Sequence, residues 1–479
     1  MQFQFIDVTN IDASARKQIR SSVMIGRNTG KKRRRETPAR PEKQRVLIPD
    51  LGRTRGSNGG SSDSESSEET SNPITQLVKS VGNDFGSISF PLPLEPYMQK
   101  TLLQFMQMTD RILYPKDLCY PMQESRSAWF GYFQSNEAFF HCLLAMAQAH
   151  ADWLVGSSMG PRLKESTRTL KHLGQTYRCV NRNLREEIVP SNATVAVVMS
   201  ITMHNNLLRA PGGAEPHLNA LQRMVEMRGG INQFAAPSRM LLHKICRTDL
   251  EYALQKGTRP RFYRDEFPYS VICSMSSWTS SCYEVFVTMT KARVYDVNTQ
   301  TVFRDLLCVS RFFDASHDAH PKLEPFAFQE VLISASYRIL SAYPLATERP
   351  SNSSENACQL GLLAMMTTML IRSAHHEKLC YLLIANLLKS AIDALLYDPK
   401  TDQAFLLWLL FMAGISVPDV QYDEWLLPQI KKCADKLDLD TWVSANQSLT
   451  VYPWIRLFHQ APGEELWNNA MEQRNIDSN

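Results

Sequence analysis

Long apolar runs are the first thing this 479-residue chain lacks. The two longest without charge lie near Ala404–Ile415 and Gly361–Ile371. Each is about a dozen residues, where a bilayer-spanning helix needs roughly 20, so no membrane span is expected. A secretory start is missing as well. Met1–Asn10 alternates apolar and polar residues and includes Asp7, with neither a basic opening nor a continuous apolar stretch. The ten cysteines are scattered, no two closer than nine residues, which excludes a compact disulfide framework and reads as reduced thiols in a cytosolic or nuclear protein. No Gly-x-Gly-x-x-Gly occurs, which argues against a dinucleotide enzyme. Alternating strand patterns are scarce too.

The near-misses to chemistry fail on geometry. Gly156-Ser157-Ser158-Met159-Gly160 has the hydrolase spacing, but a helix precedes it where a nucleophile elbow needs a strand, and Pro161 follows. Gly26 through Lys32 has one residue too few between its glycines for a phosphate loop, and Lys32 stands where a Ser or Thr should hold magnesium. His376-Glu377-Lys378-Leu379-Cys380 has Cys380 in place of the second zincin histidine, and His317 and His320 make only another pair. No catalytic residue, metal ligand or cofactor is therefore assigned.

What is present is an asymmetric charge. Between Arg16 and Arg55 fourteen Lys or Arg face only Glu36, Glu42 and Asp50, in a chain whose net charge is +4. The remainder is therefore net acidic, the signature of a body carrying a basic arm. Residues 1–96 read as a disordered arm. One short helix is predicted at Ser14–Ile25, and Gly56–Thr70 holds no apolar side chain to offset the entropy of ordering. Lys31, Lys32, Arg33, Arg34 and Arg35 form a nuclear-import signal, with Arg16 and Lys17 as the minor half of a two-part version. The partner expected there is an import receptor and the location the nucleus. The same cations can neutralise DNA phosphates without reading sequence. Ser62, Ser64, Ser66 and Ser67, set among Asp63, Glu65, Glu68 and Glu69, are candidate phosphorylation sites or plain solvating linker.

From residue 97 to 479 the pattern is helical: an all-α body, large and irregular, in one or two lobes. Ala138–Leu154 carries Phe139, Phe140, Leu143, Leu144 and Ala147. Leu163–Glu187 places Leu170, Leu173, Tyr177 and Leu184 at helical spacing, and Ser191 is a predicted cap for a helix over Ala193–Leu208. Glu215–Arg228 is the clearest element. Leu218, Leu221, Met224 and Val225 make one stripe, and Gly229-Gly230 stands where a left-handed cap ends a helix. His217, Arg228, Gly229 and Gly230 read as structural, Arg228 pairing with an acid or favouring the helix C-terminus through its dipole.

The segment His217-Leu218-Asn219-Ala220-Leu221-Gln222-Arg223-Met224-Val225-Glu226-Met227-Arg228-Gly229-Gly230-Ile231 resembles the H-L-x-G-L-x-x-M-V-x-x-R-G-G-L/I stretch of fungal-specific transcription factors. Asn83-Asp84-Phe85 with Pro91-Leu92-Pro93, Ala138–Trp153, Leu407–Phe411 and Trp454–Trp467 resemble other parts of that family's C-terminal regulatory domain. The likeness runs from Gly82 to Trp467, and Phe3–Ile6 with Arg16–Met24 resembles a short N-terminal segment of one subset. It implies a nuclear, pathway-specific regulator whose helical domain binds protein partners, a dimer mate or a small effector in an apolar pocket. The family's zinc cluster needs six closely spaced cysteines ahead of the body, and the first cysteine here is Cys119. That departure leaves open a second reading, a non-DNA-binding interaction or sensor protein.

Overall fold

The computed structural model describes residues 89–120, 124–156, 166–207, 213–234, 238–263, 295–314, 322–347, 349–370, 381–416 and 420–472. The structural statements that follow are made of these residues. The predicted helix at Ser14–Ile25 lies outside them.

Fifteen α-helices follow one another: α1 (Pro96–Leu113), α2 (Glu124–Ser135), α3 (Glu137–Gly156), α4 (Thr167–Glu186), α5 (Asn192–Leu207), α6 (Glu215–Met227), α7 (Arg239–Lys256), α8 (Val297–Asp314), α9 (Pro325–Ala342), α10 (Ser353–Leu370), α11 (Leu382–Leu396), α12 (Gln403–Ser416), α13 (Val420–Lys436), α14 (Trp442–Leu449) and α15 (Arg456–Glu472). A 3₁₀ turn, Ile231–Phe234, sits between α6 and α7. Among the described residues there is no strand. A lone parallel bridge joins Cys119 to Leu323, tying the end of α1 to the start of α9. The all-α expectation holds.

Local chemistry sets many of the helix starts. Ser166 accepts the Thr169 amide at 3.3 Å, and Ser191 accepts the Thr194 amide at 3.2 Å as expected. Glu324 takes the Phe326 and Ala327 amides, and Asp402 those of Ala404 and Phe405. Asn352 accepts from Ser354 and Glu355 and caps α10. Each side chain satisfies amides that a helix start leaves orphaned, for about 1 kcal/mol apiece.

Two helical groups share one apolar core. In the first, α3 packs on α1, α2, α4 and α5, and α5 in turn on α6. Its aromatic contacts include Trp129 stacked on Phe139 at 5.4 Å and Phe133 on Phe140 at 4.9 Å. In the second, α10 packs on α8, α9, α11 and α12, while α12 also meets α13, α14 and α15. Phe405 through Ala413 of α12 are buried without interruption, as a helix apolar on every side must be. There α10 comes so close that a Cβ on Gly361 would stand 2.6 Å from Leu409 and 2.8 Å from Trp408. Helix α7 bridges the groups, meeting α5 and the 3₁₀ turn on one side and α9 and α11 on the other. The buried apolar side chains of both form a single cluster.

One face assignment fails. Leu170 is exposed, and α4 instead buries Thr169, His172, Leu173, Gly174, Thr176, Cys179 and Val180. Counting hydrophobic residues alone misplaced the face, because this helix meets α3 largely through polar and small side chains.

Candidate functional site

The motif that carried the resemblance builds a helix end. Leu218, Leu221, Met224 and Val225 are all buried, the stripe the spacing predicts; each contributes roughly 1.5–3 kcal/mol. The chain then enters the left-handed region at Gly229 (φ 85°) and Gly230 (φ 100°). The Gly229 amide donates to Glu226 and the Gly230 amide to Val225, both at 2.9 Å, closing the helix with paired capping bonds. Arg228 neither meets an acid nor simply faces the dipole. Its guanidinium donates to the Pro190 carbonyl at 2.8 Å and lies over the Phe234 ring at 4.7 Å. That one side chain pins the loop before α5 to the 3₁₀ turn. His217 stacks on Tyr177 with rings 13° from parallel, and burial pushes its imidazole down to about 4.

A row of ionic side chains fastens α7 to its neighbours. Arg239, His243, Arg247 and Glu251 recur every four residues, one face of a helix. On α9, Glu330 accepts from Arg239 at 2.8 Å and lies 3.3 Å from His243. Burial pushes the Glu330 carboxyl up, but bonds from His243 and Arg239 outweigh it and leave the acid below its ordinary range. Arg247 donates to Gln329 at 2.9 Å and to the Leu370 carbonyl at the C-terminus of α10, and lies 3.7 Å from Glu251. Two residues on from Arg247, Asp249 accepts from the Arg261 and Phe262 amides and from the Tyr337 hydroxyl, at 2.7, 3.0 and 3.0 Å. Burial still pushes its carboxyl up to about 6.

Helix α4 has two different faces. Its inner face holds His172, whose Nδ1 lies 3.0 Å from Nδ1 of His141 on α3, while Tyr97 Oη sits 3.2 Å from His172 Nε2. Burial pushes His172 down to about 4, helped by His141 and Lys171. His141 is lowered too, first by burial. The outer face carries Arg168, Lys171, Arg178, Arg182 and Arg185, all exposed. At 3.6 residues per turn they fall within about 100° of arc and span about 26 Å. Arg182 is held by Glu137 at 2.8 Å, and Arg168 lies over the Tyr97 ring at 4.5 Å. Arg178, Asn181, Arg182, Arg185 and Glu186 line a shallow concavity.

The residues singled out in the arm, Arg16, Lys17, Lys31 through Arg35, Ser62, Ser64, Ser66 and Ser67, lie outside the described residues. So do His317, His320, His376, Cys380 and the serines after Gly156. Among the described residues no group of three or more His, Cys, Asp or Glu could hold a metal ion, and no helix is long and apolar enough to cross a membrane. Seven described cysteines are free and buried. Burial pushes the Cys119 and Cys142 thiols up to about 12, far from the thiolate a nucleophile needs. Sequence reading missed the α4 arginine row and the α7 ionic row; the four-residue spacing on α7 and the three-, four- and seven-residue spacing on α4 were the available signals.

Residues 95–270 match the family model described as fungal specific transcription factor domain. Over this stretch the chain is similar to that family. The matched stretch contains α1 to α7, including the Gly229-Gly230 cap and the α4 row, and ends before α8. The matched stretch shares one apolar core with α8 to α15, and its last helix, α7, packs on α9 and α11. Comparison with curated proteins gives no match, and comparison with solved structures gives none. Similarity to this family, with the all-helical fold, supports a transcriptional regulator and points away from an enzyme.

Proposed function

We propose that this protein is a nuclear, pathway-specific transcriptional regulator whose helical body binds a protein partner, a second copy or a small effector. The observation that carries the reading is the fungal transcription factor domain match over α1 to α7. Lys31 through Arg35, with Arg16 and Lys17, bind the import receptor, and the same arm touches DNA phosphates without reading sequence. The α7 row ties this helix to α9 and the end of α10 through Glu330, Gln329 and the Leu370 carbonyl, which supports coupling of the matched stretch to the helices after it. Residues 1–118 hold no cysteine. That fact favours a second form of the reading, in which the protein reaches promoters through a DNA-reading partner.

Fusing the full chain to a heterologous DNA reader and measuring a reporter tests the regulatory role; a change in reporter output in either direction is expected, and none would contradict it. Changing Lys31–Arg35 to alanine should spread the protein through the cytoplasm while leaving its helical content unchanged. Undiminished nuclear concentration of that variant would remove the import assignment.

A further inference from the structure

Burying a guanidinium requires a partner, as Arg247 and Arg338 have. Leaving several in one line on the surface is costly for a different reason: like charges at helical spacing repel. Helix α4 nevertheless aligns Arg168, Lys171, Arg178, Arg182 and Arg185 on its outward arc. Glu137 is engaged by Arg182, and Glu186 stands at the rim of the concavity. Arg182 is held by that ion pair and Arg168 by the Tyr97 ring. A partly ordered row loses less freedom on meeting a ligand.

We propose that the outward face of α4 is a contact surface for the phosphate backbone of duplex DNA, centred on the concavity between Arg178, Arg182 and Arg185. The length of the row fits a polyanion better than a single small anion. At about 26 Å it matches several successive phosphates rather than one, and four of its five cations are arginines, which pair with phosphate oxygens through two parallel N–H groups. Contacts of this kind position a protein on DNA and carry no sequence information. The surface therefore complements a sequence reader supplied elsewhere. This inference rests on the transcriptional reading above and adds a site in the folded body to the contact proposed for the arm.

The test uses the full chain with Lys31–Arg35 already changed to alanine, so that the arm does not mask the body. Anisotropy of a labelled duplex of about 30 base pairs is followed between about 50 and 200 mM salt. Adding Lys171→Ala, Arg178→Ala and Arg185→Ala should weaken binding at least about tenfold and flatten the log–log salt slope by about 2 to 3, close to 0.9 per lost contact. Lysine at Arg178 and Arg185 should keep most of the slope, since it keeps the charge. In the chain without α4 changes, DNA should also protect Arg178 and Arg185 from an arginine-directed dicarbonyl reagent, a readout that no folding defect in a variant can imitate. Unchanged affinity and slope, or no protection, overturns the proposal. Displacement of DNA by polyglutamate as readily as by a second duplex assigns the face to an acidic protein instead. Displacement by millimolar inorganic phosphate assigns it to a small phosphorylated ligand. Loss of α4 binding in vitro with promoter occupancy intact in cells would sink this site alone and leave the regulator reading standing.

Discussion

Helices α4 and α7 each carry a row of cationic side chains at helical spacing, and the two rows do opposite things. On α7, Arg239, His243 and Arg247 turn toward Glu330, Gln329 and the Leu370 carbonyl. On α4, Arg168 through Arg185 face solvent, while the inner side of the same helix meets α3 through His172, Thr169 and Thr176. In the sequence the two rows look alike. Their surroundings differ: the α7 row meets Glu330, Gln329 and a carbonyl of neighbouring helices, whereas the α4 row stands exposed on the surface. A charged stripe acquires its meaning from the neighbouring element and not from its own spacing.

The sharpest way to break the comparison is to delete one cation from each row. Arg247→Ala leaves Glu251 buried without its counter-ion and strips Gln329 and Leu370 of a donor. We expect a loss of about 3–5 kcal/mol, read by chemical denaturation followed by far-ultraviolet circular dichroism. A cost near zero would mean that water replaces the guanidinium.

The next effect concerns the inner side of α4 and depends on pH. An unfolded histidine titrates near 6.5, and folded His172 near 4. The fold therefore favours neutral His172. Its contribution is complete above about pH 6.5 and is lost as pH falls toward 4, a total of about 3 kcal/mol for the shift. His141 acts in the same direction. Asp249 acts oppositely: its folded value of about 6 lies above the unfolded 3.8, so it favours the fold at low pH and that share is lost as pH rises through 6. The difference between the natural chain and His172→Gln isolates the histidine. The variant should be flatter between pH 6.5 and 4, and parallel curves would show that the pair does not titrate as described.

Smallest of all should be Arg185→Ala on α4. An exposed side chain without a buried partner typically moves stability by less than about 0.5 kcal/mol. A loss several times larger would show that the outer face is structural, and would close the gap between the two rows.

Much of this architecture was legible in residue order. The stripe of α6 and its Gly229-Gly230 cap needed only helical periodicity and the left-handed preference of glycine, both local properties. Ser191 as a cap was equally local. The failures were of partner identity. Leu170 looked like a core residue because it shares helical spacing with Leu173 and Tyr177. It is exposed because α3 offers that helix His141 and Asp152, which hydrogen-bond to its polar side chains and turn the buried face toward them. Arg228 was read against an acid or the dipole, whereas its partners, the Pro190 carbonyl and the Phe234 ring, are fixed by where two loops land. The four-residue spacing on α7 is visible in the sequence, but its partners on α9 and at the end of α10 lie more than eighty residues downstream, and spacing does not name them.

A transcriptional regulator of the kind proposed acts on chromatin. Genome-wide occupancy of the tagged full chain in its native host tests that most directly. The account predicts sharp enrichment over a limited set of promoters, weakened when Lys171, Arg178 and Arg185 are changed to alanine. A folded, abundant, nuclear protein with no enrichment above background would contradict it and leave an interaction or sensor protein in its place.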